Sequence, residues 1–395
     1  MDCGVDDNTK CAFPMNDAKL IDQRIKTIGV VSCNINCNFT NYGSALQSWA
    51  LSHAIERCEK SIITKLVDYC PTIHLESDPL NPIKKMWDQD DVTIKNIELS
   101  LPAIRENYYK FEDFYTHQFK RTKKYTSDNF NDIIADESID GFVCGSDTIF
   151  CIDEWKEFDN AYFANYDCMK GGKSVAYAAS FGDSHFKEDD YPTLHTRLQN
   201  FKAIGIREND MLEYVRSQVK VRAERVIDPT LLMDASDYDI ITAQPQEQEK
   251  YLLYYSRRYN RKMEKYADAI AKKNGWKVVD ISIRAINEDR HTMRYDAGVE
   301  EFLSLVKHCE YMVTNSFHGI IFSTLFRRPF CCFSREQGDK KINELLALFG
   351  LSNRLMIDGN EPISDSIDFD EVHSRIQTMR EFSHNFLKYE LQLIT

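Results

Sequence analysis

Glycine and proline are scarce in this 395-residue chain, 15 and 10 in all. Disordered segments and long linkers are usually rich in both, so the chain is expected to fold almost throughout. No run approaches 18 apolar residues, so no membrane-spanning helix is expected. The N-terminal MDCGVDDNTK lacks the apolar core of a secretory signal. Basic charge is also short, with a net of −13. Neutralising a phosphate backbone needs clustered Lys and Arg, so nucleic acid is not expected as a partner, nor is broad docking on anionic lipid. A local basic pocket for a small anion survives this argument, because net charge does not describe a pocket. The expected location is the cytoplasm, with a peripheral place at the inner membrane face left open.

Other absences narrow the chemistry. There is no GxGxxG, no Walker A loop and no HExxH. The twelve cysteines lack a pairing pattern. Cys33 and Cys37 form a C-x3-C pair with no matching second pair, and Cys331 and Cys332 are adjacent, which suits neither a zinc site nor a bridge. Cys144, Cys309, Cys331 and Cys332 lie in apolar runs and read as small buried hydrophobes in reduced form. No metal site is expected.

What is present is a strand–helix alternation. TIGVVSC (27–33) is short, apolar and β-branched, as a buried strand requires. The polar loop NINCNFTNYG follows. SALQSWALSHAIERC then sets Leu46, Trp49, Ala50 and His53 on one helical face, and SIITKLVDYC reads as a second strand. Further strands are expected at the start of DGFVCGSD (140–147), at 174–182 and at 203–208, and RVIDPTLLMD (225–234) closes this half. Residues 71–130 read as a helical insertion. After a Gln/Glu-dense linker (236–250), the strands YLLYYS, WKVVDIS, YMVT and PFCCFS alternate with helices at 261–273, 298–309 and 319–326. The expected organisation is a leader (1–25), an N-terminal α/β domain (26–235), the linker, a C-terminal α/β domain (251–350) and a helical tail (351–395).

In parallel α/β sheets, ligands bind outside the carboxyl ends of the strands. Four segments fall there. In YMVTNSFHG (311–319) the helix start offers unpaired N–H groups and a positive dipole end, suited to phosphate or carboxylate. Asn315 and Ser316 flank that start, Gly319 permits close backbone approach, and His318 can donate or shuttle a proton. The plainer alternative is that Ser316 caps the helix and His318 packs beneath it. In GFVCGSD, Ser146 and Asp147 either face a substrate hydroxyl or cap a helix. In AIGIRE, Arg207 either clamps an anion bidentately or pairs with Glu208 to seal the strand end. In NYGSALQ, Asn41, Tyr42 and Gly43 either meet a ligand or make the turn. Arg257 and Arg258 are further anion-site candidates. Arg327 and Arg328 lie at the far end of helix 319–326 from His318 and read as partners of its C-terminal dipole. The Asp-Tyr-Asp triplet at 237–239 lies in the linker, so it does not indicate a metal-bound nucleotide-sugar site.

NYGSALQSWAL, GFVCGSD, IGIREND, VIDPTLLMD and EFLSLVKHCEYMVTNSFHGIIFSTLFRRPF occur in this order. Together, over roughly residues 26–335, they resemble the polysaccharide pyruvyl transferase family. The resemblance implies a GT-B-like fold, two Rossmann-like domains whose parallel sheets face a cleft. It implies transfer of pyruvate from phosphoenolpyruvate to two hydroxyls of a saccharide, free or lipid-linked, leaving a cyclic ketal. Phosphoenolpyruvate is then a co-substrate, and no cofactor is expected. His318 falls on the family's catalytic histidine and Arg207 on a donor-binding arginine. The expected site is therefore His318 and Asp147 as catalytic groups. Arg207, Ser316, Asn315 and Gly319 are expected on the donor, and Asn41, Tyr42, Gly43 and Ser146 on the acceptor. Two departures stand out: some members carry a basic residue where Ser316 stands, and Gln-Trp usually follows the GSD position, where Thr148, Ile149 and Phe150 follow here. Two other readings are carried alongside, a GT-B-type glycosyltransferase with a nucleotide-sugar donor and a non-catalytic saccharide- or anion-binding protein.

Overall fold

The computed structural model describes residues 24–33, 35–85, 89–335, 339–359 and 366–394; the expected leader lies almost wholly outside them. A first sheet is built from β1 (Lys26–Val31), β2 (Ile62–Tyr69), β3 (Arg121–Tyr125), β4 (Gly141–Cys144), β5 (Ser174–Ala179), β6 (Ala203–Ile206) and β7 (Arg222–Arg225). A second comprises β8 (Tyr251–Tyr255), β9 (Lys277–Asp280), β10 (Thr292–Met293), β11 (Tyr311–Thr314), β12 (Phe330–Phe333) and β13 (Leu355–Met356). The orders are β3-β2-β1-β4-β5-β6-β7 and β10-β9-β8-β11-β12-β13. Every pairing is parallel. This is the expected α/β class with two Rossmann-like domains. The strand order reverses between β1 and β4 and between β8 and β11, and such reversals open the crevice where ligands bind. Asp147 follows β4, and Arg257 and His318 follow β8 and β11, so the topology itself gathers the candidate residues.

The longer helices are α1 (Tyr42–Cys58), α2 (Asp91–Gln118), α3 (Tyr191–Leu198), α4 (Arg261–Asn274), α5 (Val299–His308), α6 (Phe317–Leu325), α7 (Lys340–Phe349) and α8 (Phe369–Ile394). One apolar core runs from α1 into α5 and α6, so the two domains share it. Tyr42 stacks on Phe302 at 4.5 Å, and Tyr238 bridges Trp49 (5.3 Å) and Phe322 (5.1 Å).

Three segments differ from expectation. Residues 71–130 supply more than an insertion: β3 is an edge strand of the first sheet, and α2 straps the two domains together. Asn107 Nδ2 donates to the Ala297 carbonyl at 2.5 Å, and Lys110 pairs with Glu301 at 2.8 Å. The linker is partly built in. Tyr238 is buried, and its flanking aspartates pair one to each domain, Asp237 with Arg57 (2.7 Å) and Asp239 with Lys307 (2.5 Å). The tail crosses back to the first domain, where Ile227 N–H donates to Ser383 Oγ at 3.1 Å and Arg380 Nε to the Leu231 carbonyl at 2.6 Å. Arg327 pairs with Asp370 at 2.7 Å and Arg328 donates to the Cys309 carbonyl at 3.5 Å, so neither serves its own helix end. The described cysteines are free thiols. Among the described residues no helix is long and apolar enough to cross a membrane, and no His/Cys/Asp/Glu cluster has metal-binding form.

Candidate active site

The SFHG stretch folds as its chemistry dictates. Ser316, in extended backbone, caps α6 by accepting from Gly319 N–H at 3.3 Å. Gly319 is required because a Cβ there would lie 2.5 Å from Thr314 Oγ1. Asn315 is fully buried; its Oδ1 accepts from Arg257 N–H at 2.8 Å and its Nδ2 donates to the Arg258 carbonyl at 2.6 Å. These side chains build the loops, and they leave His318 as the group of this segment aimed across the domain boundary.

His318 meets the first domain at Gly43. A Cβ on Gly43 would lie 1.9 Å from His318 Nδ1, so the imidazole rests directly on the bare backbone at the start of α1. Asn41 caps that helix, accepting from Gly43 N–H at 3.0 Å. Tyr42 points away: it is buried, and its hydroxyl donates to the Ala297 carbonyl at 2.7 Å. The expected acceptor trio therefore divides. Gly43 touches the histidine, Asn41 makes the turn and Tyr42 docks the domains.

Around His318 lies a buried charge network centred on Asp228, which follows β7. Asp228 Oδ2 accepts from Gln47 Nε2 at 2.6 Å and from Arg207 Nη1 at 2.8 Å. His318 Nε2 lies 3.7 Å from the same oxygen, an ion-pair distance outside hydrogen-bond range. Oδ1 accepts from Thr230 N–H and Oγ1 at 3.0 and 2.7 Å. Burial alone would push the Asp228 carboxyl up, but His318 and Arg207 outweigh it and hold it well below the usual range. Asp147 accepts from Ser44 Oγ at 2.7 Å and stands 3.7 Å from Arg207 Nη2. Burial opposes its charge, while Arg207 and then Lys341 prevail and lower its pKa. Ser146 lies fully buried beneath, accepting from Gln47 Nε2 at 3.2 Å and donating to the Ala178 carbonyl at 3.0 Å.

Two more carboxyls face this network. Glu208 is buried, and burial raises its pKa despite Arg207. Glu154 is exposed and accepts from Thr148 Oγ1 at 2.5 Å; desolvation, then the charge of Asp147, raises its pKa. Lys341, at the start of α7, acts on Asp147, Glu154 and Glu208 alike. Arg207 also spans the boundary, its guanidinium 5.4 Å from the Phe317 ring. Its Nε and Nη2, like His318 Nε2, are buried without a hydrogen-bond partner.

Of the expected residues, the structure brings together His318, Asp147, Arg207 and Gly43, with Ser146 as support. It does not bring Asn41, Tyr42, Asn315, Ser316 or Gly319 to the same point by side chain. The sequence reading missed Asp228, Gln47, Glu154 and Lys341. Gln47 had left a signal, a polar residue beside Leu46 on an apolar helical face. Asp228 had another, an Asp-Pro directly after the apolar pair Val226 and Ile227.

Fold and site together define a two-domain α/β protein whose sheet ends enclose a histidine, paired carboxylates and unsatisfied cationic donors. Its overall form is similar to that of several solved enzymes. The S. aureus MnaA–UDP co-structure matches with 13% identity, covering 94% of this chain and 91% of that one, at a TM-score of 0.44. A UDP-N-acetylglucosamine 2-epimerase from Rickettsia bellii matches with 9% identity, covering 94% and 97%, at 0.48. An ADP-heptose LPS heptosyltransferase II from E. coli matches with 8% identity, covering 90% and 99%, at 0.39. No curated protein matches the chain. The family model of polysaccharide pyruvyl transferase matches residues 41–337, and the chain belongs to that family. It is an enzyme with a pyruvyl-transfer role in polysaccharide biosynthesis.

Proposed function

We propose that this enzyme moves the pyruvyl group of phosphoenolpyruvate onto two hydroxyls of a saccharide as a cyclic ketal. The observation that carries this reading is the set of buried donors without partners, Arg207 Nε and Nη2 beside His318 Nε2. Buried polar groups are almost always paired in a folded protein, so orphaned donors at a sheet end mark the place of an absent anion. Phosphoenolpyruvate presents two anionic groups on three carbons. Its carboxylate suits the free edge of Arg207. Its phosphate suits Lys341 and Arg257, neither of which has an ion pair among the described residues.

His318 then protonates the methylene carbon of the donor, and an oxocarbenium-like centre develops at the neighbouring carbon. A saccharide hydroxyl attacks that centre and gives up its proton. The bond to phosphate breaks, inorganic phosphate leaves, and the second hydroxyl closes the ketal with loss of its own proton. Asp147, whose pKa is lowered, and Glu154, whose pKa is raised, are two carboxyls of opposite tendency beside Lys341. Such a divergence suits one for accepting and the other for returning a proton. Arg207 and Asp228 are preorganised to meet charge as it develops.

The test is phosphate release from phosphoenolpyruvate with a saccharide acceptor, beside titrations with phosphoenolpyruvate and nucleotide sugars. His318→Ala is expected to lower turnover by about 10²–10⁴-fold while leaving the circular-dichroism melt in place. Near-normal turnover would remove His318 from the chemistry. Binding of a nucleotide sugar with none of phosphoenolpyruvate would replace this reading with glycosyl transfer.

A further inference from the structure

Glu208 is a buried carboxyl that the chemistry above leaves unused. It follows Arg207 directly, yet the two side chains part. Arg207 turns to Asp228 at 2.8 Å. Glu208 Oε1 accepts from Ser180 Oγ, which itself accepts from Gly182 N–H at 3.0 Å. The other oxygen, Oε2, is buried with no hydrogen-bond partner among the described residues, and the residue is 5% exposed. A buried polar atom without a partner calls for one from outside the chain.

Glu208 lines a cavity of about 40 Å³ between the ends of β6 and β7 and the start of α7. Arg207, Asp228 and Lys341 share its wall, with Phe317 and Leu345 as apolar surface. A water needs roughly 10–15 Å³ of such space, so the cavity takes a few waters or one small anionic group. Arg207 brings its own orphaned donors, Nε and Nη2, to the same place.

The protonation state of Glu208 decides what it does there. The donor's carboxylate was assigned to Arg207 and its phosphate to Lys341 with Arg257. An ionised Glu208 would repel that ligand, whereas a protonated one offers it an O–H. The surroundings favour the proton: burial raises the Glu208 pKa, and Arg207, the Ser180 hydroxyl and Lys341 offset this only in part. The charged groups around it are Arg207 beside it, Asp228 and Arg225 at the end of β7, and Lys341, Lys340 and Glu344 on α7. Arg225 is paired with Glu344 at 3.6 Å and Lys340 with Asp210, so both cations are engaged elsewhere. A carboxylic acid kept neutral by its site can serve as a hydrogen-bond donor to an anion.

We infer that Glu208 binds the donor as a neutral acid, its carboxyl O–H donating from Oε2 to an anionic oxygen of phosphoenolpyruvate held by Arg207 and Lys341. The inference rests on the pyruvyl-transfer reading and adds a proton condition to it. The proton stays on Glu208 throughout, and the anion beside it holds it there more firmly. Affinity is therefore complete at low pH and falls as pH rises through the Glu208 pKa, by about ten-fold per pH unit.

The experiment titrates the full-length enzyme calorimetrically with phosphoenolpyruvate between about pH 6 and pH 9, in two buffers of unlike ionisation heat. Glu208→Gln keeps an N–H donor at every pH, and comparison with it cancels the titration of the ligand and of the other charged groups. The variant is expected to match the wild type near pH 6 and to bind progressively tighter than the wild type above it. Over the range where the two diverge, the wild type is expected to take up protons on binding that Glu208→Gln does not. Glu208→Ala is expected to bind about ten-fold more weakly than the wild type near pH 6, the loss of one charge-assisted contact. Parallel affinities of wild type and Glu208→Gln across the range, or Glu208→Ala binding as tightly as Glu208→Gln at pH 6, would overturn the inference and leave the pyruvyl-transfer reading standing. No binding of phosphoenolpyruvate to the wild type at any pH would strike that reading and the inference with it.

Discussion

Gly43 shows how one missing side chain serves the chemistry. Its place opposite the imidazole fixes how deeply His318 enters the first domain, and even a methyl group would occupy the ring's position. Gly43→Ala is therefore expected to displace the ring, to lower turnover as strongly as loss of the histidine's aim requires, and to cost about 1–3 kcal/mol of stability by overpacking. Turnover together with a urea midpoint checks this; unchanged turnover would show that the ring's depth does not matter. The same scale explains a limit of sequence reading. Arg207 was visible as a cation after an apolar strand, but its partner Asp228 lies 21 residues away on the next strand end. Only the pairing of β6 with β7 joins them. One edge of Arg207 is bound to Asp228, while its Nε and Nη2 have no hydrogen-bond partner. Its pairing differs from the expected seal with Glu208, which instead accepts from Ser180 Oγ.

Elements were legible where burial writes a clear pattern. β1, β4, β5, β6, β8 and β11 are covered on both faces and appear as continuous apolar runs. β3 was missed because RTKKY is a charged edge strand, and β10 because it has two residues. α8 was legible as an amphipathic tail, but its destination was not. It lies against the first sheet with Glu390 buried beside Arg222 at 2.8 Å, and burial, only partly offset by that arginine, pushes the carboxyl up to about 7. In the unfolded chain a glutamate releases its proton near pH ~4.3. Between that pH and about 7 the folded state holds the extra proton, so stability falls as pH rises through this window. Glu390→Gln is expected to flatten that fall. Melting temperatures of both proteins at pH 5 and pH 8 check it, and parallel slopes would mean that Glu390 is not the source.

At the scale of the molecule, each domain has an apolar cluster of its own, and a larger third cluster spans both. Tyr42 on Phe302, Tyr238 between Trp49 and Phe322, and α2 bound to Ala297 and Glu301 tie the domains together through that shared cluster. Unfolding is therefore expected to be a single transition. Trp49 and Trp155 report the first domain and Trp276 the second, so single-tryptophan variants should melt at one midpoint in urea. Two separated midpoints would show that the shared core does not couple the halves. A gap between the sheets was expected from the family resemblance. What the sequence did not disclose is how much of that gap is filled, because the aromatic pairs that fill it come from segments far apart in the chain.

The return of α8 has a consequence for biosynthesis. The first sheet is complete once β7 has been made, yet the helix that covers it is made only about 140 residues later. At about 5–20 residues per second, the first domain waits roughly ten to thirty seconds with an apolar face open. Nascent chains of this enzyme are therefore expected to expose the face over β5 and α1 that the last helix covers, for a time set by synthesis of the second domain.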